Sequence, residues 1–142
     1  MLGVLDRILD CGVVAVLRAD SSSELLDVSK ALREGGVVAI EVTMTVPGAL
    51  KLIEEAASQM QDTIVGVGSV LDPETARSAI LAGAEYVVSP ILNLDVIQMA
   101  KRYGKVVMPG LIDTHGHSGT VLTKTIGEHT AGGAWRYLQD HI

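Results

Sequence analysis

A carboxylate, a cation and several hydroxyls stand at or near the ends of short apolar runs in this sequence. Glu41, Thr43 and Thr45 alternate with apolar residues, so in an extended strand their side chains point to one face. Arg18 ends an earlier apolar run, and Ser69 follows Gly-Val-Gly in a later one. An arginine beside hydroxyls suits a small carboxylate or phosphate, and a carboxylate in a cleft suits proton transfer. A simple ion pair between Glu41 and a nearby lysine or arginine is the competing interpretation.

These side chains need a scaffold that brings strand ends together, and the chain is patterned for one. Five apolar runs rich in Val and Ile start 20 to 26 residues apart: Val13 to Leu17, Val37 to Met44, Thr63 to Val70, Tyr86 to Ser89 and Val106 to Met108. Segments with helical spacing lie between them, the first opened by Ser21 and Glu24 as a capping pair. The alternation predicts an α/β fold of about four and a half βα units with parallel strands. Pattern alone leaves a doubly wound sheet and a barrel both open.

The strand–helix alternation stops after Gly110, which predicts a boundary there. All four His and the single Trp lie within residues 111–142. We therefore divide the chain into an N-terminal part, residues 1–110, and an atypical C-terminal tail, residues 111–142. In the tail, His115 and His117 stand in a Pro-Gly-Leu-Ile-Asp-Thr-His-Gly-His segment that resembles metal-dependent amidohydrolases. Two histidines one residue apart on a strand can face the same metal, so a metal-dependent hydrolase is one alternative.

Composition narrows the class of protein. The 142 residues carry a net charge of -6, and no basic stripe is present, so we expect no nucleic-acid partner. Apolar runs are of strand length and acidic residues interrupt the N-terminus, so we expect a cytoplasmic protein that does not enter membranes. The single Cys11 fits a reducing compartment. The length suffices for one domain but is below the roughly 200 residues of a closed eight-stranded β/α barrel.

Four segments carry a family resemblance that extends, in order and without large gaps, over nearly all of residues 10–110. They are VVAVLRA (13–19), EGGVVAIEVTMTVPGA (34–49), IVGVGSVLDPETARSAILAGAEYVVSP (64–90) and VVMPG (106–110). The chain closely resembles the 2-keto-3-deoxy-6-phosphogluconate (KDPG) and 4-hydroxy-2-oxoglutarate (KHG) aldolases. These are class I aldolases, so the resemblance implies the first part of a TIM-type (β/α)8 barrel. It also implies cleavage of a substrate to pyruvate and an aldehyde through a Schiff base, without a metal or other cofactor.

The resemblance also implies roles for individual residues. Glu41 matches the general acid/base of the family, and Ser69 stands where its Gly-x-Gly-Thr motif has Thr. The residues that match the pocket for a small 2-keto acid such as pyruvate are Arg18, Thr43, Thr45, Ser69 and Pro90. In such chemistry a lysine amine bonds to the keto carbon and the resulting iminium accepts electrons as the carbon–carbon bond breaks.

The Schiff-base lysine is where the resemblance fails. The family places it in a Lys-Phe/Leu-Phe-Pro context in the sixth strand, and this chain has no such motif and no Phe. Lys124 is the one lysine near that part of the chain, in the context Leu-Thr-Lys-Thr. We therefore expect this chain to be catalytically inactive, and translation out of frame is one hypothesis for residues 111–142. A further alternative is a non-catalytic half-barrel that associates with itself or a partner through its open sheet edges, which predicts a homo-oligomer.

Overall fold

The computed structural model describes residues 3–19 and 21–110 as alternating helices and strands. The predictions that concern Lys124, His115, His117 and the tail lie outside these residues. The elements in chain order are α1 (Val4–Cys11), β1 (Val14–Leu17), α2 (Ser22–Glu34), β2 (Ala39–Thr43), α3 (Ala49–Gln59), β3 (Ile64–Gly68), α4 (Pro73–Leu81), β4 (Tyr86–Ser89), α5 (Leu94–Arg102) and β5 (Val106–Pro109).

The five strands form one parallel sheet in the order β1-β2-β3-β4-β5. Each strand pairs with the next one along the chain, and the intervening helix returns the chain to the same end of the sheet. A doubly wound sheet reverses its strand order at a switch point, and this sheet does not. The order is that of consecutive units of a β/α barrel, which decides between the two alternatives that the sequence left open.

Polar side chains fix the first turns of three helices. The Ser21 hydroxyl accepts the amide of Glu24 at 3.2 Å before α2, as the capping pair predicts. Asp72 accepts the amide of Thr75 at 2.7 Å before α4, and Pro73 occupies the first helical position. Asn93 accepts the amides of Asp95 and Val96 at the start of α5. These caps fix where α2, α4 and α5 begin, after the loops that follow β1, β3 and β4.

The sheet has two faces with different partners. One face packs against α2 to α5, and its buried strand residues are Ile40, Val42, Val65, Val67 and Val87. The other, which we call the inner face, includes the first residues of β2, β3 and β4, and these pack against Ile8 of α1: Ala39, Ile64 and Tyr86. Helix α1 therefore covers the inner face at the amino ends of the strands. The predicted site residues lie at the opposite, carboxyl ends.

Helix α1 is an element that the sequence analysis did not identify. It has only eight residues, and Gly12 ends it in the left-handed conformation at φ 69°.

No helix in the described part of the chain is long and apolar enough to cross a membrane.

Candidate active site

The carboxyl ends of the strands collect the residues that the sequence singled out. Arg18 directly follows β1, Glu41 lies in β2, Ser69 directly follows β3 and Pro90 directly follows β4. Parallel pairing aligns these ends, since Val16 of β1 is level with Glu41 of β2. Lateral pairing thus gathers residues distant in sequence at one edge, where ligands bind in α/β folds.

Glu41 lies on the inner face, and its side chain extends over the neighbouring strand β3. Glu41 pairs with Gly66 of β3, and Thr43 pairs with Gly68. A Cβ atom built on Gly68 would overlap the Oε1 and Cδ atoms of Glu41. The carboxylate therefore occupies the space that a side chain at position 68 would need. The absence of a side chain at Gly68 is what allows an acid to be seated between β2 and β3.

The environment of Glu41 favours a proton on its carboxyl group. The residue is only 8% exposed. Burial raises the pKa of Glu41, and the positive charge of Arg18 opposes part of that rise. No residue of 3–19 or 21–110 forms a hydrogen bond or a close ion pair with this carboxylate, so the simple ion pair is not what holds it. A carboxyl group whose pKa is raised by burial is suited to give and take protons in a reaction.

Two threonines continue the polar surface beyond Glu41. The hydroxyls of Thr43 and Thr45 lie 2.9 Å apart and share a hydrogen bond. Thr43 is the last residue of β2 and is 2% exposed, whereas Thr45 lies past the strand end and is exposed. One hydroxyl is thus fixed by the strand, and the other is accessible to a ligand at the edge.

Ser69 has a backbone conformation that its sequence context does not reveal. Its φ of 60° lies in the left-handed region, and it is the one non-glycine residue in the described ranges with positive φ. Such a conformation costs on the order of 1–2 kcal/mol for a residue with a Cβ. Strained residues of this kind cluster at functional sites, and this one turns the chain at the end of β3.

The Pro90 loop is held by its neighbours. The Ser89 hydroxyl donates to the carbonyl of Ile91 at 2.8 Å, and the Gly110 amide donates to the carbonyl of Ser89 at 2.7 Å. A Cβ atom on Gly110 would overlap the Pro90 carbonyl. The ends of β4 and β5 are therefore locked together, which fixes Pro90 at the rim of the site.

Tyr86 is a residue of the inner face whose role the sequence analysis missed. Its hydroxyl donates to the carbonyl of Ile40 at 2.7 Å, in a hydrogen bond that is buried. A Cβ atom on Gly66 would overlap the Tyr86 ring. Burial and the nearby charge of Glu41 raise the pKa of Tyr86, so the phenol stays protonated as a donor. The signal available in the sequence was the pair Gly66 and Gly68, two residues apart on one face of β3, because two missing side chains leave space for two neighbouring side chains.

Four of the five lysines lie away from the site. Lys30, Lys51 and Lys101 are exposed on α2, α3 and α5, and Lys105 precedes β5 at the amino end of that strand. No cluster of three or more His, Cys, Asp or Glu that could hold a metal ion occurs within residues 3–19 and 21–110. In the described residues the site therefore has an acid, a cation and hydroxyls, without an amine or a metal centre.

Solved structures share this architecture. KDPG aldolase from Zymomonas mobilis ATCC 29191 superimposes with a TM-score of 0.71 and 26% identity, covering 88% of this chain and 58% of the other. KDPG aldolase from Legionella pneumophila, solved with pyruvate captured as a covalent carbinolamine, gives a TM-score of 0.67 at 24% identity, covering 82% of this chain and 54% of the other. The fold is therefore α/β, a partial TIM-type barrel of the kind that these aldolases have.

Sequence comparison agrees with the structural likeness. The KHG/KDPG aldolase of Escherichia coli K12 is 32% identical over 107 residues, which is 75% of this chain and 50% of that protein. The 2-dehydro-3-deoxy-phosphogluconate aldolase of Pseudoalteromonas atlantica is 30% identical over 99 residues, 70% of this chain and 46% of that protein. The chain thus spans about half the length of the curated relatives it matches. The model of the family described as KDPG and KHG aldolase matches residues 4–128, so the chain belongs to the KDPG and KHG aldolase family.

Proposed function

We propose that this chain carries the acid/base and carboxylate-binding part of a Schiff-base aldolase site for a small 2-keto acid such as pyruvate. The observation that carries the proposal is the seating of Glu41 over Gly68, buried and beside the charge of Arg18. A ligand carboxylate placed at the edge would meet Arg18 and the Thr43 and Thr45 hydroxyls. Its keto carbon would then lie near a proton donor.

The reaction of the family explains why these groups are needed together. A lysine amine adds to the keto carbon with loss of water, and the iminium takes up the electron pair of the carbon–carbon bond that breaks. Glu41 would accept a proton from the substrate hydroxyl and return it at a later step, for which a raised pKa is suited. The substrate would be KDPG or KHG, and the products pyruvate and an aldehyde.

We further propose that this chain on its own binds pyruvate without forming the Schiff base. The lysines within residues 3–19 and 21–110 lie on helices or at the amino end of β5, not at the site. Lys124, outside the described residues, stands in a context unlike the motif of the family.

Borohydride trapping tests the covalent step. The chain is incubated with pyruvate and borohydride, and its mass is compared with that of Lys124→Ala treated identically. We expect no added mass on either protein. A pyruvate adduct on any lysine would contradict the non-covalent proposal. Loss of that adduct in Lys124→Ala would identify Lys124 as the nucleophile that forms the Schiff base.

A second candidate function is self-association of the half-barrel. In the described residues β1 and β5 are the edge strands of the sheet, and each has one neighbouring strand. Val16 of β1, on the inner face, is 49% exposed. Sedimentation at several concentrations tests it, with Val16→Lys as the variant and Leu81→Lys, on the helical surface, as the matched control. If the chain associates, and Val16→Lys weakens the association while Leu81→Lys does not, self-association through this surface is supported. A monomer that unfolds cooperatively would contradict it.

A further inference from the structure

One row of residues crosses the inner face at the level of Glu41. Pairing places Val16, Glu41, Gly66, Tyr86 and Val106 side by side on the five strands. Gly66 separates Glu41 from Tyr86 and has no side chain. The space above Gly66 can therefore hold the side chain of either Glu41 or Tyr86.

Tyr86 occupies that space. Its ring lies where a Cβ atom on Gly66 would be, and its hydroxyl crosses β3 to reach the Ile40 carbonyl of β2 at 2.7 Å. Tyr86 is fully buried. The accepting carbonyl belongs to the peptide bond that joins Ile40 to Glu41. The phenol is therefore fixed at both ends, by its own strand and by the backbone next to Glu41.

Glu41 occupies the next space along β3. Its carboxylate lies over Gly68, two residues nearer the carboxyl end than its own pairing partner Gly66. Two residues along a strand correspond to roughly 6.6 Å. With Tyr86 over Gly66, the carboxylate has no room at its own level and extends toward the edge where Ser69 and Arg18 lie.

We propose that Tyr86 is a positioning residue for Glu41: its ring fills the space above Gly66 and holds the carboxylate over Gly68, at the edge where the substrate binds. The inference rests on the proposed function, in which Glu41 moves protons. Tyr86 does not contact the substrate in this arrangement. It acts by excluding water and the Glu41 side chain from the interior of the inner face, and so keeps the acid extended and desolvated.

The test follows the ionisation of Glu41 itself. Glutamate carboxyl carbons are labelled with carbon-13, the Glu41 signal is assigned with Glu41→Gln, and its pKa is measured by NMR titration. The groups that face Glu41 are Arg18 after β1 and Tyr86 of β4, while β3 presents glycines. Tyr86→Leu is the variant, and Tyr86→Phe, which keeps the ring, is the matched control.

We expect Tyr86→Phe to keep the raised pKa of Glu41 and Tyr86→Leu to lower it toward that of an ordinary glutamate, because water and the carboxylate can then enter the space above Gly66. A Glu41 pKa unchanged in Tyr86→Leu, or lowered equally in Tyr86→Phe, would overturn the proposal. The pKa of Glu41 is measured in both variants without any substrate. A failure to bind pyruvate would therefore refute the proposed function and leave the conclusion about Tyr86 unaffected.

A measurement on the unaltered fold covers the case in which Tyr86→Leu does not fold. Tyrosines are replaced by 3-fluorotyrosine, and the fluorine signal of residue 86 is assigned by comparison with Tyr86→Phe. We expect this signal to shift with pH at the midpoint of Glu41 and to lose the shift in Glu41→Gln. A signal insensitive to the ionisation of Glu41 would overturn the proposal.

Discussion

Replacing Gly68 by alanine should reveal the contact on which the site depends. The added Cβ would overlap the Glu41 carboxylate and approach its Cγ at 3.0 Å. Overpacking of this kind costs about 1–3 kcal/mol of unfolding free energy. Alanine also regains roughly 0.5–1 kcal/mol relative to glycine within a strand, and Gly68 has no positive φ that would oppose the change. The net expectation for Gly68→Ala is a loss of about 1–2 kcal/mol.

A double-mutant cycle isolates the contribution of the carboxylate. In a Glu41→Ala background the overlap is removed, so Gly68→Ala should become neutral or stabilising by about 0.5–1 kcal/mol. The coupling free energy between the two positions is then about 2 kcal/mol, well above the error of additivity. Urea unfolding of the four proteins at pH 7 measures it, provided that the m-values agree.

Gly83→Ala serves as the matched control for this cycle. Its Cβ would overlap the Cβ of Ala57 in α3 and does not approach Glu41, so its cost should be the same in both backgrounds. Equal cost of Gly68→Ala with and without the Glu41 carboxylate would refute the reasoning, because it would mean that the carboxylate does not lie over Gly68.

Three further predictions concern strain, an unpaired hydroxyl and pH. Ser69→Gly should stabilise the protein by about 1 kcal/mol in urea unfolding, because glycine adopts the left-handed φ of 60° without strain. Ser29→Ala should stabilise it by about 1 kcal/mol, because the Ser29 hydroxyl is buried and has no hydrogen-bond partner among residues 3–19 and 21–110. Burial raises the pKa of Glu41, so the folded state holds its proton to higher pH than the unfolded state. Stability relative to Glu41→Gln should therefore fall as pH rises from about 4.3, the ordinary glutamate pKa, through the raised folded value.

Each of these predictions has a control that isolates its cause. Ser69→Ala keeps the strained conformation and should leave stability unchanged, so equal gains from alanine and glycine would contradict the strain argument. Ser78→Ala removes a hydroxyl that donates to the Glu74 carbonyl, and it should bring no gain. If Ser29→Ala destabilised the protein, the hydroxyl would have a partner after all. A difference between the wild type and Glu41→Gln that is constant with pH would contradict the raised pKa.

The strand–helix order of residues 13–110 could be predicted because local signals agree. Valine-rich runs, helix caps and glycine stops recur at one spacing, and each predicted strand overlaps an observed one. The placement of Arg18, Glu41 and Ser69 at one edge then follows from parallel pairing alone. Their roles in substrate binding and proton transfer stay predictions. The Ser21 cap was predictable for the same local reason.

The features that were missed depend on contacts between strands. The hydrogen bond from Tyr86 to Ile40 spans 46 positions and requires knowing that β3 lies between β2 and β4. The left-handed conformation of Ser69 is imposed on a residue type that does not favour it. Helix α1 is short, and its one buried residue, Ile8, gives too weak a periodic signal on its own.

The central claim is that the carboxyl edge of β1 to β3 binds a small 2-keto acid. Amide NMR of the chain during a pyruvate titration tests it most directly, with Arg18→Ala as the comparison. We predict saturable shifts at Thr43, Gly68 and Ser69, and weaker binding in Arg18→Ala because the cation that pairs with the ligand carboxylate is then missing. Shifts confined to other surfaces, or none at these residues under saturating pyruvate, would contradict the account.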